Sequence, residues 1–124
     1  MALKDEIYIE LAKIAQTHRE EEEFTTLPPE FIVYYKLNDI PVEYSDGRAM
    51  QRYYYYRVSF YSIDKSRVDV AIGQIDAAMQ GLGFFLRESG IPIPREAPQE
   101  KRKASDGLAY WGAYSEFAIW RASR

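Results

Sequence analysis

Residues 50–63 read MQRYYYYRVSFYSI, and their alternation decides the fold class. In a strand, successive side chains point to opposite faces. Tyr54, Tyr56, Val58 and Phe60 then line one face, and Tyr53, Tyr55, Arg57, Ser59 and Tyr61 line the other. Upstream, FIVYYKL at 31–37 reads as a second strand, with Phe31, Val33 and Tyr35 sharing a face. The stretch between them, NDIPVEYSDGR, holds the turn signals Asn38-Asp39 and Asp46-Gly47, and Pro41 opposes a central strand there. A hairpin turning at Asp46-Gly47 sets Val33 opposite Phe60 and Tyr35 opposite Val58, a register that keeps apolar residues on one face. A 14-residue strand spans roughly 46 Å. A domain of this size is about 30 Å wide. Either the strand bends sharply or the far end of the hairpin projects as an arm, with Tyr44 and Tyr53 near it.

Two helices flank this hairpin in sequence. Leu3, Ile7, Leu11 and Ile14 recur at helical spacing, which predicts a helix over 3–18. Asp5, Glu6 and Glu10 precede Lys13, an order that suits the helix dipole. Glu20, Glu21, Glu22 and Glu23 follow as a run of carboxylates, a solvated end or an acidic patch, and Pro28-Pro29 forbids further helix. The second helix is predicted over 66–82, with Ser66 as N-cap, Asp69 favouring the dipole end, and Val68, Ile72, Ile75, Met79 and Leu82 as its packed stripe. Gly83 stands where a C-capping glycine is expected. Gly73 and Gly81 weaken this helix, and close packing against a sheet would explain them. FFLRES then reads as a short strand, and 89–105 as a flexible proline-rich loop holding the basic run Lys101, Arg102 and Lys103. After Asp106-Gly107, residues 108–121 carry apolar residues on both faces, as in a central strand or one covered by another subunit.

The expected fold is therefore α+β. It is a small, mostly antiparallel sheet with a long β-hairpin, an N-terminal helix and a second helix packed on it. One domain spans 1–124, and a chain this long buries about two-thirds of its unfolded surface. Cysteine is absent, which removes disulfides, thiolate metal sites and a cysteine nucleophile. The net charge of −3 argues against general nucleic-acid binding through phosphates. No apolar run is long enough for a membrane span.

Catalytic constellations are missing from the sequence. His18 is the only histidine, so neither a two-histidine metal site nor a Ser-His-Asp arrangement with spare ligands can be assembled, and it reads as a surface residue. Neither GxGxxG nor GxxxxGK[ST] occurs. Paired carboxylates exist, but their spacing alone marks no acid/base pair. The expectation is a non-enzyme without metal or cofactor. The 11 tyrosines suit surfaces that become half-buried in assembly as well as strands. Tyr44, Tyr53, Tyr55, Arg57, Tyr61, Trp111 and Arg102 are the candidate protein-interface residues, and Glu20 to Glu23 the candidate lining of a channel.

Four pieces in order, VYYKLNDIPVEYSDG at 33–47, YYYYRVSFYS at 53–62, GLGF closing the second helix at 81–84, and DGLAYWGAYSEFAIW at 106–120, carry a resemblance. Together they cover most of the chain after the first helix. The chain resembles the tail terminator (tail-to-head joining, or tail completion) proteins of long-tailed bacteriophages. The proline-rich insertion at 89–105 and the acidic run depart from that pattern. The resemblance implies a small sheet with helices packed on it, assembled as a hexameric ring in the virion after synthesis in the bacterial cytoplasm. Such a ring caps the tail tube, ends polymerisation of the major tail protein, and meets the head-completion protein of the neck. DNA passes through its hole without specific binding, and an acidic chain would not retain it. The competing expectations are another neck component, such as a head–tail adaptor or stopper, a small ligand-binding or hydrolytic α+β domain, and a regulatory or toxin–antitoxin module.

Overall fold

The computed structural model describes residues 3–19, 28–45, 48–93 and 110–122, with the backbone alone described at 19, 41–45, 48–51 and 121–122. Two helices and five strands follow in the order α1 (Leu3–Leu11), β1 (Thr17–Arg19), β2 (Glu30–Ser45), β3 (Arg48–Ser62), α2 (Lys65–Gly81), β4 (Phe85–Ile93) and β5 (Trp111–Ala122). The strands form one sheet in the order β1-β2-β3-β5-β4. β1 runs parallel to β2, and every other pairing is antiparallel. This is the α+β architecture expected from the alternation.

Both helices lie on the same face of the sheet. Val68, Ala71, Ile72, Ile75 and Met79 of α2 and Ile7 and Leu11 of α1 pack with Ile32, Tyr34, Tyr56, Val58, Phe60, Ala113, Phe117 and Ile119 in a single buried cluster. The Tyr34 hydroxyl donates to the Lys4 carbonyl at 2.7 Å, tying α1 to the sheet. A smaller cluster holds Phe31 and Tyr110 on the opposite face, with Val33, Tyr61 and Ile63 against them. There the Tyr110 hydroxyl donates to the Pro28 carbonyl, and the Phe31 and Tyr110 rings meet edge to face at 5.1 Å.

The first helix is shorter than its periodicity predicts. It ends at Leu11, and Thr17–Arg19 instead pairs with Ile32–Tyr34. The Ile32 amide donates to the Gln16 carbonyl at 2.8 Å, so the β2 edge takes the backbone groups that continued helix would have satisfied internally. His18 thereby sits in β1, half-buried rather than on the surface, with a ring nitrogen 2.9 Å from the Gln16 side-chain amide.

The hairpin register differs by one residue from the expected one. Ile32 opposes Phe60 and Tyr34 opposes Val58, while Asn38 opposes Tyr55. The pairing steps from Lys36–Tyr56 to Asn38–Tyr55, so Leu37 is an extra residue in a β-bulge. A one-residue slip moves side chains to the other face. Ile32 and Tyr34 are therefore in the core, and Val33 and Tyr35 face away from the helices. No turn forms at Asn38-Asp39, and β2 runs on through Pro41. Pro41 is tolerated because β1 pairs only with 32–34, which leaves this part of β2 at the sheet edge. β5 accompanies β3 as far as Gln51, so only the tip beyond it stands as a two-stranded arm.

At the start of α2 the cap is Asp64 rather than Ser66. The Ser66 amide and hydroxyl donate to Asp64 Oδ1 at 3.0 and 2.7 Å, and these bonds hold the Asp64 carboxyl below its ordinary pKa. At its end, Gly83 takes a φ of 101° and the Phe84 amide donates to the Met79 carbonyl at 3.1 Å. This is a left-handed C-cap of the kind glycine allows. Strand β4 continues to Ile93, so 89–93 is paired strand rather than loop. Residues 94–109 lie outside the described residues.

Candidate functional site

The face of the sheet opposite the helices is built by the second alternation of β3. Tyr53, Tyr55, Arg57, Ser59 and Tyr61 pair through their backbones with Trp120, Ala118, Glu116, Tyr114 and Gly112 of β5. Val33 and Tyr35 flank them from β2, and Phe85 and Ile91 from β4. Among the described residues no helix packs on this face, and only Tyr110 folds over one end. The face is nevertheless rich in aromatic rings. Phe85 is 62% exposed and Trp120 49%, the two largest exposures among the aromatic residues here.

The side chains are held by each other. The Tyr53 ring lies 4.6 Å from Trp120 and 4.8 Å from Tyr55, centroid to centroid. At the centre, Arg57 Nε donates to Glu116 Oε2 at 2.8 Å and Arg57 Nη1 to the Tyr35 hydroxyl at 3.2 Å. Its guanidinium also lies 4.2 Å from the Tyr114 ring centroid. Partial burial works against the Arg57 charge, but the Glu116 carboxylate and the Tyr35 hydroxyl together more than offset it and the pKa is raised. Arg87 stands 4.9 Å over the Tyr55 ring. Burial pushes the Tyr55 and Tyr61 hydroxyls above their ordinary pKa, the neighbouring Tyr53 adding to this at Tyr55, so both stay neutral.

Gly112 has a specific part in this surface. A Cβ there would stand 2.8 Å from Tyr61 Cδ1, closer than real contacts allow. Its absence leaves room beside β5 for the Tyr61 ring, which stacks on Phe31 of β2 at 5.0 Å. A shallow groove of about 280 Å³ runs between Val33, Tyr35, Arg57, Tyr61, Ile93 and Tyr114.

The described charges on the face cancel. Arg57 and Arg87 are matched by Glu116 and by Glu88, which stands opposite Glu116 in the register. The surface therefore lacks a track of free cations for phosphates. Four interface candidates from the sequence, Tyr53, Tyr55, Arg57 and Tyr61, are brought together here. Trp111 is not among them. It pairs with Ser62 on the helix side, under Lys65, whose Nζ lies 4.9 Å from its ring centroid. The side chains of Tyr44, Arg102 and Glu20 to Glu23 lie outside the described residues. The sequence reading missed Tyr35, Phe85, Tyr114, Glu116 and Trp120. Alternation within β5 carried the signal for three of these, since Tyr114, Glu116 and Trp120 share one parity.

A second concavity of about 460 Å³ opens on the other side, between the start of α2 and the ends of β4 and β5. Lys65 and Asp69 are its charged lining residues, and its walls stop at Ile93 and Trp111, where the described residues end. Among the described residues no group of His, Cys, Asp and Glu is placed to hold a metal ion, and no helix is long and apolar enough to cross a membrane.

No protein-family model matches the chain, and no curated protein matches it in sequence.

Proposed function

We propose that this chain is the subunit of a phage tail terminator, a hexameric ring that caps the tail tube, ends its polymerisation and joins the tail to the neck. The observation that supports it best is the aromatic face of the sheet, on which no helix packs and whose charges cancel among the described residues, while helices close the other face. A solitary domain gains nothing by leaving such a face wet, whereas aromatic residues are enriched at protein interfaces. The order of elements agrees with the small sheet and packed helices that the resemblance implies. In this reading the work is done by association with further copies, with the major tail protein and with the head-completion protein. DNA passes through the ring without specific binding.

The test is the mass of the purified protein alone and after mixing with tail tubes, with the mixture imaged by electron microscopy. A hexamer, or a monomer that becomes a ring at one tube end, is the expected result. A monomer that ignores tubes overturns the reading. Binding to portal-bearing heads instead of tubes would make the chain an adaptor or stopper.

A further inference from the structure

We draw no further inference here: the strongest candidate, the cavity of about 460 Å³ between the start of α2 and the ends of β4 and β5, opens where the described residues stop, and nothing in the structure shows what fills it.

Discussion

The two faces of β3 carry nearly the same residues and meet different fates. Tyr54, Tyr56, Val58 and Phe60 point to the helices, and Val58 and Phe60 are wholly buried. Tyr53, Tyr55, Arg57 and Tyr61, one residue out of phase, remain half-exposed. The difference lies in what they meet. The first set is packed against a helix layer, and the second is stabilised sideways, by ring on ring and by Arg57 on Glu116. Aromatic content therefore marks both faces as capable of burial, while the covered one supplies the main core and the other only the small cluster of Phe31 and Tyr110 with Tyr61 against it. The other is held in place by contacts among its own side chains.

The largest test of this contrast is a pair of truncations in β5. Phe117, on the covered face, is fully buried and touches Phe84, whereas Trp120, on the open face, is 49% exposed. Phe117→Ala is expected to lower unfolding free energy by about 3–5 kcal/mol, measured by denaturant melts. Trp120→Ala, although it removes a larger side chain, is expected to lower it by about 1 kcal/mol. Equal losses would mean that the open face is core.

Alkaline titration sharpens the same comparison. Burial pushes the Tyr56 hydroxyl up to about 12 from 10.0. The folded state keeps this proton longer than the unfolded chain does. The stability contributed is full below pH 10.0 and is lost as pH rises through about 12. Tyr56→Phe should flatten that alkaline loss, followed as melting temperature against pH, with tyrosinate absorbance reporting the ionisation itself. A profile unchanged by the substitution would place the buried tyrosine elsewhere.

A smaller effect is expected at the centre of the open face. The Arg57 and Glu116 side chains are 31% and 19% exposed, so solvent screens part of their attraction. A double-mutant cycle with Arg57→Ala and Glu116→Ala should give a coupling of about 1 kcal/mol. A coupling near zero would remove the pair as an organiser of the face. The smallest effect reverses sign. Gly73→Ala should raise stability by up to about 1 kcal/mol through helix propensity, since nothing obstructs the new methyl. A loss on thermal melting would show that the glycine serves the single chain after all.

Much of the architecture was legible in local pattern. Alternation over 50–63 located β3 and separated its two faces, and the stripe Val68, Ile72, Ile75, Met79 located α2 to within one residue at either end. Gly83 marked the C-cap because only a left-handed residue closes the helix in that way. Where reading failed, neighbours were responsible. Residues 12–18 have helical spacing, yet Thr17–Arg19 pairs with β2, because an open strand edge outcompetes a frayed helix end. The bulge at Leu37 left no mark in composition, and it exchanged the faces of Val33 and Ile32. Of the candidate site, the β3 residues were legible from alternation. Trp111 was misplaced because both faces of β5 are apolar, and only its opposition to Ser62 shows that it faces the helices.

By itself, the sequence determined α2, the start of α1 and the location of four of the five strands, the two-sided character of the long hairpin, and the lack of a histidine, cysteine or nucleotide-loop framework for chemistry. These follow from properties that each segment carries within itself: side-chain period, propensity, caps and composition. The tertiary structure alone decided which face of β3 is covered, that β5 inserts between β3 and β4, and that Arg57 meets Glu116 across 59 positions of sequence. It also turned Gly73 and Gly81 outward, away from the sheet. Such outcomes depend on which layer reaches a surface first in space, and no local period encodes a contact between residues that far apart.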